Sequence, residues 1–298
     1  MNYDSESEDQ PRKVIDVQGN FTVLNSTYTE TFKLQDFNPR VQAPDGTWIP
    51  FPGVIALRPV PEPQAVAHAE SVMGHGENGV WTGTRFEAPV HTAPDFVFPV
   101  RPINTISSLV VERFCIRRRF VPAISPLKTM MIYTDGACVS NGLASARAGF
   151  GFVFNLSPGG NKSSAVEQKG PDGQVYPHTS NRAELRAVIA ALKFRTWWGE
   201  GWTRVVIVTD SEYVSEGATN RMRNWARRGW RTSAGGPAAN LDLWKTLSDL
   251  MGAYAKSGCE ISFWRVPREW NTLADAAAKA ATELEGSGEY TNALGILI

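Results

Sequence analysis

Apolar and polar positions divide this 298-residue chain into two textures. From about residue 129 onward the spacing is regular. Met131-Ile132-Tyr133-Thr134 and Val205-Val206-Ile207-Val208-Thr209 are apolar, β-branched runs, and they predict buried strands over 130–138 and 204–209. Phe150, Phe152 and Phe154 alternate, which predicts a strand over 149–155, and a third strand is expected near 164–169. Leu185, Val188, Ile189 and Leu192 recur at helical spacing and predict a helix from 181 to about 198. A short helix should follow Asp210, and another should carry 221–228. Leu243, Leu247, Leu250 and Met251 predict a helix over 240–255. A fifth strand over 260–266 and an alanine-rich helix over about 271–284 complete the pattern. The first three strands can form an antiparallel meander, whereas the last two need helical crossovers. The expected fold class is therefore α/β, a mixed five-stranded sheet flanked by helices.

Residues 1–128 lack that regularity. Prolines are dense (Pro50, Pro52, Pro59, Pro61, Pro63, then Pro89, Pro94, Pro99 and Pro102), and helical periodicity is almost absent. Short β-like runs stand out, such as Phe21-Thr22-Val23-Leu24 and the stretch 109–114. The expectation is a Pro-rich, loop-rich, partly disordered N-terminal extension whose few strands pack onto the second half. This gives three expected regions: 1–128, a folded 129–285, and a tail 286–298 for which docking and fraying both stand open. His68, His75 and His91 read as solvent-exposed loop histidines. Arg117-Arg118-Arg119 reads as a solvated basic face.

Composition narrows the function. Hydrophobic residues make up 42% of the chain, enough for a globular core, and the formal net charge is zero. Bulk charge thus predicts no polyanion partner, and any nucleic acid must be held by local charge. Three cysteines, Cys115, Cys138 and Cys259, are odd in number and unpatterned. They argue for a reducing, intracellular setting, nucleus or cytoplasm, and against structural zinc. No run of 18 apolar residues occurs, so no membrane span is expected, and the acidic start MNYDSESEDQ resembles neither a signal nor a transit peptide.

Four carboxylates carry the candidate chemistry: Asp135 and Asp210, which end apolar runs, and Glu184 and Asp275, near the starts of helices. Taken singly, each has a plain reading. An Asp after a strand serves turns and caps. Glu184 completes a capping box with Asn181 as cap. Asp275 favours a helix macrodipole. Taken in order, strand-Asp, helix-Glu, strand-Asp and helix-Asp converge at one rim of an α/β sheet, where mutual repulsion calls for hard cations. Between them, Arg221, Arg223, Arg227, Arg228 and Arg231 interleave with Trp225 and Trp230 without an acid. Such a run suits a groove for a sugar-phosphate backbone, or a solvated helix with buried tryptophans.

TDGAC, NRAEL, TDSEYV, RNWARRGWRT with NLDLWKTL, and the N-x-x-x-D of Asn271 to Asp275 together resemble the type 1 ribonuclease H family, its eukaryotic members most. The resemblance covers about 129–285, roughly half of the chain. It implies a ribonuclease H-like fold and endonucleolytic hydrolysis of the RNA strand of RNA–DNA hybrids with two Mg2+ ions, Mn2+ being an alternative. Two ions ~3.5–4 Å apart suit that chemistry. The resemblance implies that Asp135 bridges both ions, with Glu184 and Asp210 on one side and Asp275 on the other. It further implies substrate contacts from Cys138, Asn141, Thr179, Asn181 and Asn271, and a basic handle at Trp225, Arg227 and Arg228. Two departures stand out. Many members carry a loop histidine before the last Asp; here Arg268 stands nearest and can hold a phosphate but not shuttle a proton. Gly235-Gly236-Pro237-Ala238-Ala239 replaces a lysine-rich stretch of some relatives. No separate hybrid-binding domain is recognisable in 1–128, and a monomer is expected. The competing readings are a catalytically weak nucleic-acid-binding module of the same fold and another polynucleotidyl transferase. All four carboxylates being present weighs against the first, and the NWARRGW handle against the second.

Overall fold

A computed structural model describes residues 63–74, 79–88, 129–157, 159–292 and 295 in full, and several further strands by backbone alone. The chain divides into two compact units, residues 1–57 with 293–298, and residues 58–292. In the first unit β1 (Arg12–Ile15), β2 (Asn20–Leu24) and β3 (Thr29–Lys33) form an antiparallel meander, and β4 (Arg40–Gln42) pairs antiparallel with β5 (Trp48–Pro50). The expected β run at 21–24 falls within β2. The expectation of disorder in the extension concerns stretches outside the described residues, as do His75 and His91.

The second unit opens with α1 (Pro63–Met73), β6 (Thr84–Arg85), β7 (Val97–Val100) and β8 (Arg113–Ile116). Then come β9 (Thr129–Val139), β10 (Arg147–Val153), β11 (Asn161–Ala165), α2 (Ser180–Phe194), β12 (Arg204–Thr209), α3 (Glu212–Glu216), α4 (Met222–Arg227), α5 (Leu241–Lys256), β13 (Glu260–Arg265) and α6 (Thr272–Ala281). The sheet order is β11-β10-β9-β12-β13-β6, with β8 meeting β9 through Cys115 and Met130 and pairing with β7. The meander β9–β10–β11 is antiparallel, and β12 lies parallel to both β9 and β13. The expected five-stranded mixed sheet is thus present, extended along its main path by a sixth strand, β6, drawn from the N-terminal half and parallel to β13, and brought to eight strands by β7 and β8.

Three local expectations are corrected. The third strand is β11, ahead of the expected 164–169. Its residues Asn161 to Ser163 are exposed at the sheet edge, so no apolar alternation marks them. Helix α2 stops at Phe194, where Arg195 turns extended, and Trp197–Glu200 forms a separate 3-10 turn. Helix α1 has no counterpart among the expected elements. Only Ala69 and Met73 of it are buried, too sparse a stripe to register as periodicity, although Pro63 suits a first helical position. His68 therefore sits on a helix rather than in a loop, with Nε2 3.5 Å from Glu260.

The core lies on both faces of the sheet. Leu185, Val188, Ile189 and Leu192 of α2 are all buried, and Phe152, Phe154, Phe194 and Trp197 form one aromatic cluster. Two arginines of α2 are fully buried as ion pairs, Arg182 with Asp242 at 2.7 Å and Arg186 with Glu167 at 2.6 Å. Arg186 also donates to the Thr291 carbonyl and stacks under Tyr290. The tail therefore docks as far as Thr291, with Gln168 and Lys169 N–H groups donating to Ser287 and Gly288. Among the described residues no helix is long and apolar enough to cross a membrane.

Candidate active site

Strand register brings the two aspartates together. In the parallel pair β9–β12, Tyr133 lies opposite Val208, and two residues further on Asp135 and Asp210 follow on neighbouring strands. Asp135 is buried, and Asp210 is half-buried just beyond the last residue of β12. Glycines then set the approach of the helices. A Cβ on Gly136 would stand 2.2 Å from the Glu184 nitrogen, so only glycine lets α2 lie against β9 at that point. On β10, Gly151 faces Asp135 across the ladder, and its own Cβ would stand 2.7 Å from the Ala277 methyl, so α6 lies equally close. These contacts lodge Glu184 and Asp275 over the same strands as Asp135.

The capping box is corrected. Thr179 caps α2, its hydroxyl accepting from the Arg182 N–H at 3.2 Å, and Asn181 lies exposed within the first turn. Glu184 is in the second turn, beyond the reach of a cap, so its carboxylate has no such structural duty. The expected helix start at Asn271 shifts by one residue, to Thr272. Asn271 is the N-cap of α6 and is buried, donating 3.0 Å hydrogen bonds from Nδ2 to Asp210 and to the Thr134 carbonyl. It fixes the Asp210 carboxylate to the backbone of β9.

Electrostatics separates the four acids. Burial, then the charges of Asp210 and Asp275, push the Asp135 pKa up to about 7. Burial, then Asp135 and Asp210, push Glu184 to about 9. For Asp275, burial acts upward, but hydrogen bonds from Lys279 and Arg268 prevail and hold it below the usual carboxylate range. Lys279 and Arg268 each contact Asp275 at 2.7 Å, and the same guanidinium stands 3.8 Å from Asp210. Side-chain cations, Arg268 and Lys279, thus supply part of the relief from the crowding expected to call for hard cations.

The donor set nonetheless fits a hard divalent ion. Asp210 lines an open cavity of about 390 Å³ with Arg265, Val266, Pro267 and Arg268. Among the described residues no three His, Cys, Asp or Glu side chains close into a cage. Carboxylate oxygens around open space suit an ion that keeps several waters, as Mg2+ does. The two acids with raised pKa values are those that would gain most from added positive charge.

The expected substrate residues fall into two groups. Cys138, near the end of β9, is half-buried with its thiol pKa raised by burial, and Asn141 is exposed in the turn after β9. Thr179 and Asn181 start α2. His178, which sequence reasoning passed over, links these loops, with Nδ1 3.2 Å from the Ala146 carbonyl. In the basic handle Arg227 and Arg228 are exposed. Trp225 is half-buried and packs at a steep angle to Trp244, with ring centroids 5.5 Å apart. Glu212 joins the handle to the pocket, pairing with Arg221 at 3.2 Å and with Arg265 at 2.9 Å. An isolated acid flanked by arginines in space, not in sequence, gave no signal to find it by.

A family model described as RNase H matches residues 127–283. The ribonuclease H of Treponema pallidum subsp. pallidum is 39% identical over 131 residues, spanning 42% of this chain and 73% of its own. That of Cyanothece sp. (strain PCC 7425) is 40% identical over 119 residues, spanning 40% and 68%. Among solved structures, RNase H1 from the halophilic archaeon Halobacterium salinarum is 24% identical, with a TM-score of 0.32 and coverage of 51% of this chain and 93% of that one.

Proposed function

The chain belongs to the RNase H family, and on that footing we propose that it cuts the RNA strand of RNA–DNA hybrids at Asp135, Glu184, Asp210 and Asp275, with two Mg2+ or Mn2+ ions as cofactors. When bound, two divalent ions activate a water and stabilise the departing oxygen of an in-line displacement. The carrying observation is the side-by-side placement of Asp135 and Asp210 on adjacent parallel strands, with Glu184 packed over Gly136. Asp135, whose charge couples to those of Asp210, Asp275 and Glu184, would hold the ions together with them. Asn271 orients Asp210. Arg268, two-thirds exposed, is free to turn from Asp275 to a phosphate oxygen.

Arg227 and Arg228 grip the sugar-phosphate backbone. Cys138 near the end of β9, Asn141 in the turn after it, and Thr179 and Asn181 at the start of α2 would read the 2′-hydroxyl that separates RNA from DNA. We place the enzyme in the nucleus or cytoplasm as a monomer, on its unpaired Cys138 and Cys259 and its self-contained site.

The test compares hybrid, double-stranded RNA and double-stranded DNA as substrates for wild type and Asp210→Asn. Only the hybrid should be cut, only with a divalent ion, and the variant should lose at least ~100-fold, the scale of about 3 kcal/mol of transition-state stabilisation. Equal rates for both proteins would remove Asp210 from the site.

A further inference from the structure

The segment 79–88 lies outside the stretch that matches the family, yet it is built into the second unit. On one side it extends the sheet. Thr84 and Arg85 pair with Ser262 and Phe263 of β13, and the Phe86 N–H donates to the Phe263 carbonyl at 2.8 Å. Gly83 makes this possible, since a Cβ there would stand 2.4 Å from the Phe263 ring. On its other side the same segment makes three contacts along α3, the turn after it and the start of the arginine-bearing handle. Arg85 pairs with Glu216 of α3 at 2.5 Å. The Gly83 N–H donates to the Ala218 carbonyl, in the π-helical turn Gly217–Arg221 between α3 and α4, at 3.1 Å. Thr82, 1% exposed, accepts a 2.8 Å hydrogen bond from Arg223 Nη2 of α4.

We propose that residues 82–85 are a brace that holds the handle in register with the catalytic sheet, with Thr82 the residue that positions Arg223 and, through it, helix α4. This rests on the proposed hybrid-cutting activity, because the handle is what would grip the nucleic acid. A π-helical turn interrupts the helical ladder between α3 and α4, and such turns are where helices yield. Three tethers across that turn fix the direction in which α4 leaves it. Arg223 Nε is buried without a hydrogen-bond partner, so the orientation of its guanidinium leans on Thr82. Arg227 follows one turn later on the same helix face. The far side of the brace is anchored where it cannot drift: Thr84 donates to Glu260 at 2.6 Å, and Glu260 also holds Arg204 of β12 at 2.7 Å.

The test uses the full chain with Thr82→Val and Thr82→Ser. Valine keeps the shape and removes the acceptor; serine keeps the acceptor. For Thr82→Val the KM for hybrid should rise by about threefold to tenfold, a fraction of what a charge-assisted hydrogen bond supports, with kcat and the thermal midpoint unchanged. Amides of 217–228 should exchange faster in the free protein. Thr82→Ser should restore both readouts. The proposal is overturned if Thr82→Val leaves KM and exchange unchanged, if serine behaves like valine, or if kcat and thermal midpoint fall together with no separate change in KM. The exchange measurement needs no substrate. A wild type that failed to cut hybrid would therefore sink the activity and leave the brace to be judged on exchange alone.

Discussion

Burial, followed by neighbouring acids, holds the pKa of Asp135 at about 7 and that of Glu184 at about 9 in the cation-free protein. Both lie above the values of an unfolded chain, near 4. The folded state therefore binds more protons than the unfolded one across that window, and stability falls as pH rises from about 4 through about 9. Replacing the acid by its neutral isostere removes the effect. With a chelator present, Asp135→Asn should be more stable than wild type, and its advantage should grow by roughly 1–3 kcal/mol between about pH 4.5 and about pH 8. Thermal melts at the two pH values measure this, and a difference that does not change with pH would show that Asp135 is not held protonated. The same variant should be inactive. A site that destabilises its own fold until a cation arrives is a common cost of function.

Helices and strands set where these residues meet, and glycine is the gate. Gly136→Ala puts a methyl into the Glu184 backbone, which cannot flex away as a side chain could. The expected cost is about 1–3 kcal/mol of stability from overpacking, and about 100-fold in activity from shifting Glu184 by an ångström or so. Melting and cleavage rates check both, and a normal rate would mean that the approach of α2 to β9 is not limiting. The elements at this site were largely legible. Long apolar runs marked β9 and β12, and a fourfold apolar stripe marked α2, because deep burial leaves a periodic trace. What escaped notice was written in other terms. Strand β11 is a polar edge, and α1 buries only two residues. The cap of α2 is Thr179 where Asn181 was expected, since both residue types serve as caps and only backbone geometry decides between them here. The counter-charges on Asp275 were half visible: Lys279 lies four residues on, but Arg268 reaches it from a different element.

At the scale of the whole molecule, the boundary suggested by texture at residue 129 cuts through a packed layer. Met73 is fully buried, with its sulfur 3.2 Å from the Ile261 N–H. Trp81 lies over Gly252 so closely that a Cβ there would stand 2.6 Å from the indole, and Ser248 bonds the Trp81 backbone at both its N–H and its carbonyl. Removing residues 1–128 would strip this cover from α5 and β13. It would also leave the β13 edge unpaired, a template for association between chains. Each large apolar side chain so lost is worth about 1.5–3 kcal/mol, against a total stability of roughly 5–15 kcal/mol for a typical domain. Two shortened chains separate the possibilities. One that starts at Arg58 keeps α1, Trp81 and β6, and should melt like the full chain and elute as a monomer. One that starts at Thr129 contains nearly all of the family-matching stretch, and should melt at least about 10 °C lower or aggregate, as a loss of several kcal/mol dictates. Equal melting of the two would reduce helix α1 and the sixth strand to decoration. A deficit confined to the shorter chain would make them part of the catalytic unit.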